Sequence, residues 1–589
     1  MKIITCITML LLSFAAMAQQ NCTPGKANLT VTSGNISQTL STSGAMLTEA
    51  SGNAAYQIKV NDKWVPIIYE GGIWLGGITP SNDVKFSGAT YVVAGTDYTD
   101  WYPGVLDSAY NITNPCLNWD RFFTVTYKDI EAAINLLYSS NGTINTIDCN
   151  QLPSHVLAWP GKGNPHFKNI NGFELPDIYE IPFYDYNTDG IYEPCKGDLP
   201  LFNPKDVVVN NHMDVLNTFP DHLSLNILND ALGNHNLSGG QPTHIEVHQY
   251  AFDYHTQDSL DQTTFYLYKL INKSSEELNK SYFGLWFDPD LGCYLDDFGG
   301  TSSANNLIYF YNTDAEDGSP GSSCPGTNSF GSEIPISAIS LLDGLDEVSE
   351  ISDPPGWLRK GMTSAVYFNN CSVGAVDPAT CDPDGPDLDY YNPLRGRWHT
   401  SEPITVGGNG YNPGSTDTTL FVYDGNPSDF NSWTMCSSGA SQADIRMLMS
   451  TGGGTMAPGF IDDVIAAIHT VSNVPYPCPD IQPVIDVNKA AHNFKNNGWR
   501  RKSTTSGTNY VLENNLPWEF LQIDNGFALT SEGEKITVSI VDVTGKSIIT
   551  KVLAPHQQIN WQNDSLAPQM LIINVSCSNL KKAYKIIVH

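Results

Sequence analysis

Short runs of aromatic and β-branched residues, each closed within a few positions by turn-forming residues, recur along this chain and decide its fold class. They are Tyr56–Val60, Trp64–Tyr69, Thr90–Val93, Phe122–Tyr127, His244–Phe252, Thr263–Ile271 and Ala365–Phe368. Such side chains fit a pleated, half-buried surface, and the intervening Gly, Pro, Asn and Asp supply the angles that reverse it. Helical spacing is rarer, appearing at Ile130, Ala133, Ile134 and Leu137 and again at Val484, Val487, Ala491 and Phe494. Phe460–Val471 reads equally as helix or strand. The expected fold is mainly β: a large antiparallel β-sandwich-like body with short helices.

Charge removes one class of partner. The 589 residues hold 30 Lys+Arg against 62 Asp+Glu, a net charge of -32, which repels a phosphate backbone and excludes nucleic acid. At 41% hydrophobic and 16% charged, the chain buries large cores and is no acidic disordered tail. Because all-β units reach about 200–250 residues, two or three domains are expected.

The two ends carry an address. Lys2, the apolar run Ile3–Ala15 and Ala16-Met17-Ala18 before Gln19 have the three-part form of a cleavable export signal, with cleavage expected after Ala18. The run is shorter than the roughly 18–20 residues a membrane span needs, and no later segment is long enough, so no transmembrane segment is expected in the mature chain. Near the other end, Ser503-Thr504-Thr505-Ser506-Gly507-Thr508 reads as a linker. Lys535–Ile540 then alternates with period two, Val541–Lys546 turns into Ser547-Ile548-Ile549, and strands follow at Leu571–Val575 and Ala583–Val588. A small C-terminal Ig-like β-sandwich is expected.

Three pieces of this tail resemble the type A C-terminal sorting domain of the type IX secretion system of Gram-negative bacteria. They are Val541-Asp542-Val543-Thr544-Gly545-Lys546-Ser547-Ile548, Leu566-Ala567-Pro568-Gln569-Met570-Leu571-Ile572 and Lys585-Ile586-Ile587-Val588. The resemblance implies a secreted or cell-surface protein whose C-terminal domain engages the type IX secretion machinery and is then removed. The body resembles large uncharacterised exported proteins of the same bacteria. Those matches lie at Ile73-Trp74-Leu75-Gly76-Gly77, Trp101-Tyr102-Pro103-Gly104, Asn118-Trp119-Asp120-Arg121, Trp159–Pro165 and Trp286–Gly292. The expected organisation is a signal peptide at 1–18, a β-rich region with a calcium-type loop at 19–210, a second β-rich region at 211–500, a linker at 501–512 and the sorting domain at 513–589.

Of the 12 cysteines, Cys6 lies in the signal, leaving an odd number and at least one unpaired thiol. An oxidising compartment favours pairing, with Cys371 and Cys381 the nearest in sequence; spacing leaves the connectivity open.

Oxygen ligands give the clearest chemical signal. Asp185, Asn187 and Asp189 alternate before Gly190, whose bend directs the Ile191 carbonyl inward; Asp198 closes the loop in place of the usual acid at position twelve, which here is Lys196. Such a hard-oxygen cage suits structural Ca²⁺, whereas the same residues in an Asx-turn loop merely bond backbone. Asp288, Asp290, Asp296 and Asp297 form a second cluster, four carboxylates that repel unless solvated, protonated or bridged by a cation. Asp382-Pro383-Asp384-Gly385-Pro386-Asp387-Leu388-Asp389 is a weaker third candidate.

His244, Glu246 and His248 would share one strand face, a geometry open to zinc but equally that of a strand with one wet face. Zincin, α/β-hydrolase and P-loop motifs are absent. The expectation is a non-enzymatic, calcium-stabilised body for adhesion or for contact with extracellular glycan or matrix. The rival is a secreted hydrolase acting on polysaccharide or protein, whose two carboxylates sequence cannot select.

Overall fold

Two nine-stranded antiparallel sheets organise the chain as far as Arg501, and residues 502–589 form a second compact unit. The computed structural model describes residues 22–588 except 50–51, 92–97, 107–115, 140–141, 178–179, 205–206, 208, 257, 319–323, 325–327, 350–355, 360, 372–376, 441–443, 473, 502–517, 524–525, 532–534, 543–545, 563–568 and 578–580. The expected signal peptide, the linker after Arg501 and the Val543–Gly545 turn fall outside the described residues.

In the first sheet the strands run Asn28–Ser33, Ile36–Ser41, Ala45–Leu47, Lys63–Ile78, Leu278–Pro289, Ile445–Met456 and Ser364–Asn369, with Tyr56–Val60 and Val84–Gly88 joined to its early strands. The second runs Asp297–Ser302, Leu307–Asn312, Ile336–Asp343, Ile461–Val471, Thr263–Asn272, Ile245–Asp253, His222–Asn229 and Tyr102–Pro103, with Phe123–Thr126 against His222–Asn229. Each expected strand is found except Thr90–Val93: Thr90 and Tyr91 lie outside strands, and Val92 and Val93 outside the described residues.

Side-chain alternation explains how one sheet serves two cores. On Thr263–Asn272, Tyr266, Tyr268 and Leu270 face the first sheet and join Ile73, Leu285 and Ile339 between the layers. Phe265 and Leu267 point the other way, into a second core with Tyr250, Phe252 and Trp499. A strand covered on both faces must be apolar on both, which is why its sequence shows little contrast.

That second core is roofed by helices. Tyr127–Leu137 begins with a capping box: Asp129 N–H donates to Thr126 Oγ1 at 3.2 Å, and the Asp129 carboxylate accepts from Thr126 N–H at 2.9 Å. Such a cap is worth about 1 kcal/mol. The helix buries Ile130, Ala133, Ile134 and Leu137, the four positions that its period selects. Gln482–Asn496 contributes Val487 and Ala491. Phe460–Val471, ambiguous by period, is the strand Ile461–Val471, buried centrally between Ile336–Asp343 and Thr263–Asn272.

A division near residue 211 is not found. Leu278–Pro289 pairs with Lys63–Ile78, and His222–Asn229 pairs with Phe123–Thr126, so each sheet draws strands from both sides of that point. The expected boundary fails because local pattern does not name pairing partners.

In residues 502–589, a three-stranded sheet (Trp518–Ile523, Gly526–Ser531, Gln558–Gln562) accompanies a four-stranded one (Ser547–Leu553, Ile536–Asp542, Gln569–Ser576, Lys581–Val588). Leu529 and Ile559 of the first meet Ile536, Val538, Ile540, Leu571, Ile573 and Val575 of the second in one core. The unit is a small β-sandwich.

Candidate metal centres

The Asp185–Asp198 loop is a hairpin connection closed by the short ladder of Phe183–Tyr184 with Leu199–Pro200. Its base is fixed from below: Tyr192 is buried and donates from its hydroxyl to Val156 O at 2.7 Å, while Cys195 is bonded to Cys149. Asp185 accepts from the backbone N–H groups of Thr188 and Gly190, each at 2.7 Å, and Asp189 accepts from Ile191 N–H at 2.9 Å. Asn187 Nδ2 donates to Asp189 at 2.8 Å. Gly190, at φ 77°, takes the left-handed bend that this path needs.

Beneath this rim lies Asp198, fully buried and accepting from Tyr186 N–H at 2.9 Å and Glu193 N–H at 2.6 Å. Burial, aided by the charges of Asp185 and Asp189, pushes its carboxyl up from 3.8 to about 6, against the pull of those two backbone donors. Lys196 does not relieve the charge directly, because its amine is held by Glu193 at 2.6 Å. A carboxylate oxygen that takes one N–H keeps a second lone pair, so these Asx-turn bonds and metal ligation are compatible. The donor set fits a hard divalent cation: Asp185, Asn187, Asp189 and Asp198 would hold it, with Ile191 exposed at the tip.

The second cluster is divided by the fold. Asp288 is the last residue but one of a strand of the first sheet and Asp297 opens a strand of the second, so residues 290–296 cross between layers. Asp288 accepts from Tyr91 Oη at 2.9 Å and pairs with Arg446 at 3.4 Å, and Arg446 also holds Asp444 at 2.8 Å and Asp382 at 3.9 Å. Burial raises Asp288 to about 7 and Asp382 to about 6, with Arg446 opposing. Asp297 accepts from Leu291 N–H at 2.8 Å and Asp296 from Gly318 N–H at 3.1 Å; nearby, Asp317 accepts from Cys293 N–H at 2.9 Å.

Asp290 couples the two halves. Burial and the charges of Asp288 and Asp444 drive its carboxyl well above the usual range, and its own charge acts on Asp297. Asp297 is fully buried and raised by burial, and its Oδ1 has no hydrogen-bond donor. The Asp288 half is thus compensated by an arginine. In the Asp297 half, burial and neighbouring carboxylates raise Asp290 and Asp297, a charge that a cation would relieve.

Sequence reading missed Asp317, which sits beside Cys293, and Asp444 and Arg446, which the pairing of Ile445–Met456 with Leu278–Pro289 brings to Asp288 from more than a hundred residues away. No local spacing signals them. The third candidate disperses: Asp382 goes to Arg446, Asp387 hydrogen-bonds Ser238, and Asp389 faces His399 at 3.9 Å.

The His244–His248 segment does not present three ligands on one face. His244 precedes the strand at φ 59°, and the face expected to be wet is buried beneath the helical layer. Glu246 accepts from His248 Nε2 at 2.8 Å and from Leu106 N–H at 2.7 Å, with Lys273 at 3.8 Å.

The cysteines pair as Cys22–Cys116, Cys149–Cys195, Cys293–Cys324, Cys371–Cys381 and Cys436–Cys478, and Cys577 is a free thiol. Each pair has its Cα atoms 5.4–6.0 Å apart, a usual bridging span. Seven tryptophans, Trp74, Trp101, Trp119, Trp159, Trp286, Trp398 and Trp499, are fully buried, so these rings are core rather than a binding surface. Among the described residues, no helix is long and apolar enough to cross a membrane.

No protein-family model matches the chain, and no curated protein matches it. Among solved structures, the β-glucuronidase of Ruminococcus gnavus is similar at 10% identity and a TM-score of 0.10, over 43% of this chain and 45% of that one. The chain spans under half of that structure's length, and a likeness this slight carries no argument about fold or activity.

Proposed function

We propose that the protein is an exported surface or secreted protein of a Gram-negative bacterium, with a calcium-braced β body as passenger and residues 513–589 as its type IX sorting domain. The observation that carries this reading is the separate core of the last unit. Leu529, Ile536, Ile540, Leu571 and Ile573 pack with one another, and the described residues among those that resemble the sorting domain lie on its strands or at their ends. A domain to be recognised and then cut away has to fold around its own side chains.

Five disulfides support passage through an oxidising compartment. Calcium supports the body at two places: the Asp185, Asn187, Asp189, Ile191 and Asp198 loop, and the Asp290, Asp296 and Asp297 group behind Asp288. In both, a buried carboxyl held above its usual range would be stabilised in its charged form by the ion. The role of the body is adhesion or contact with glycan or matrix. Truncation after Arg501 in the native bacterium tests the export reading: the body is expected to accumulate in the periplasm, folded and oxidised. Its unchanged appearance outside the cell would refute the reading.

A further inference from the structure

At one edge of the second sheet, a histidine, a carboxylate and a second histidine meet. His222 and Asp253 are directly opposed across the pairing of His222–Asn229 with Ile245–Asp253. His255 lies two residues past Asp253, where the chain has left the strand. One ligand atom from each of the three lies within 4.8 Å of those of the other two. From this geometry we propose that His222, Asp253 and His255 form a binding site for a divalent d-block cation, zinc in the first instance, separate from the oxygen-ligand loops.

Three features of the site fit that ion. His222 Nδ1 stands 3.2 Å from each oxygen of Asp253, and two ligands about 2.0–2.1 Å from a tetrahedral zinc are about 3.3 Å apart, so the ion enters with little movement of either. Asp253 is buried and oriented from behind, accepting from Ser33 Oγ at 3.1 Å. The backbone of His255 is anchored as well: its N–H donates to Asp221 at 2.7 Å, and Arg501 holds Asp221 at 2.9 Å. Such outer partners fix ligand orientation in metal sites. The His255 ring is exposed, so it swings inward at low cost and leaves a fourth position to water. Imidazole nitrogen with a single carboxylate selects borderline ions over calcium. Among the described residues, the other such group, His166 beside Cys149 and Cys195, has its two sulfurs committed to a disulfide.

The test uses the full mature chain, stripped with chelator, returned to millimolar calcium so that oxygen-ligand loops are filled, and titrated with zinc chloride by calorimetry. Cobalt chloride serves as a second probe through the intense visible bands of a tetrahedral ion. One equivalent with micromolar or tighter affinity is expected. His255→Ala and His222→Ala should each weaken it by about tenfold or more. Because His255 is exposed, His255→Ala should leave the zinc-free melting temperature unchanged. Absence of zinc uptake would mean that His222 and Asp253 form an ion pair only. Wild-type affinity in both variants would place the zinc elsewhere. Either outcome overturns the proposal.

Discussion

Withdrawing the calcium proposed for the Asp185–Asp198 loop should cost stability, and Asp198 shows where the cost arises. Its carboxyl is held at about 6, against 3.8 when free. The calcium-free fold therefore binds a proton more tightly than the unfolded chain, and its stability falls as pH rises from about 4 to about 6. The loss reaches about 3 kcal/mol as an upper bound, complete above that range. An ion beside Asp198 offsets it. With a dissociation constant of about 10⁻⁴–10⁻³ M, as in extracellular calcium modules, calcium at about 10 mM stabilises by about 1.4–2.7 kcal/mol per site. A unit of some 480 residues unfolds with an entropy near 1 kcal/mol per degree, so each site moves Tm by about 1–3 °C. Scanning calorimetry at pH 7.5, with calcium against EGTA and with magnesium as the ionic control, reads this directly. Asp198→Asn should remove the share that belongs to the loop. It should change the calcium-free protein little, because relief of the buried charge is set against one backbone donor left without an acceptor. An unchanged Tm on chelation, or an equal effect of magnesium, would refute the reasoning.

Other expectations follow from single groups. His469 is fully buried, and burial lowers its imidazole from 6.5 to about 3; the unfolded chain takes up a proton below pH 6.5 that the fold refuses, so stability falls as pH drops toward 3. Acid titration of stability should steepen by up to about 1.4 kcal/mol per pH unit from this group, and His469→Gln should flatten the limb; an identical limb would contradict the assignment. Trp499 packs on Phe202, Phe252, Tyr254, Phe265 and Phe494, and Trp499→Ala should cost about 3–5 kcal/mol in urea unfolding. A loss under about 1 kcal/mol would show that this cluster is not a core. Thiol titration of the denatured, unreduced chain from Gln19 to His589, with its last unit still attached, should find a single reactive group, assigned to Cys577 by peptide mapping; several free thiols would contradict the pairing.

Much of the architecture is legible from side-chain period. Ile536, Val538 and Ile540 alternate and are buried, and Ile130, Ala133, Ile134 and Leu137 fall on one helical face that the second core covers. Period fails where both faces are buried, as in Ile461–Val471, since a continuous apolar run carries no contrast between helix and strand. Sheet pairing is not local information. The partnership of Leu278–Pro289 with Lys63–Ile78 is invisible to any window, and with it the unity of the body across residue 211. The candidate sites follow the same rule: the proposed ligands Asp185, Asn187 and Asp189 announce themselves by spacing, whereas the Arg446–Asp288 ion pair and the approach of His222 to Asp253 arise only through strand register.

Joining residues 502–589 to an unrelated periplasmic reporter, expressed with a signal peptide in the native bacterium, tests the central claim most directly. If the last sandwich is a sorting domain, the reporter crosses the outer membrane and is recovered at the surface or in the medium, freed of the added unit. A reporter that folds, keeps the unit attached and stays in the periplasm would contradict it.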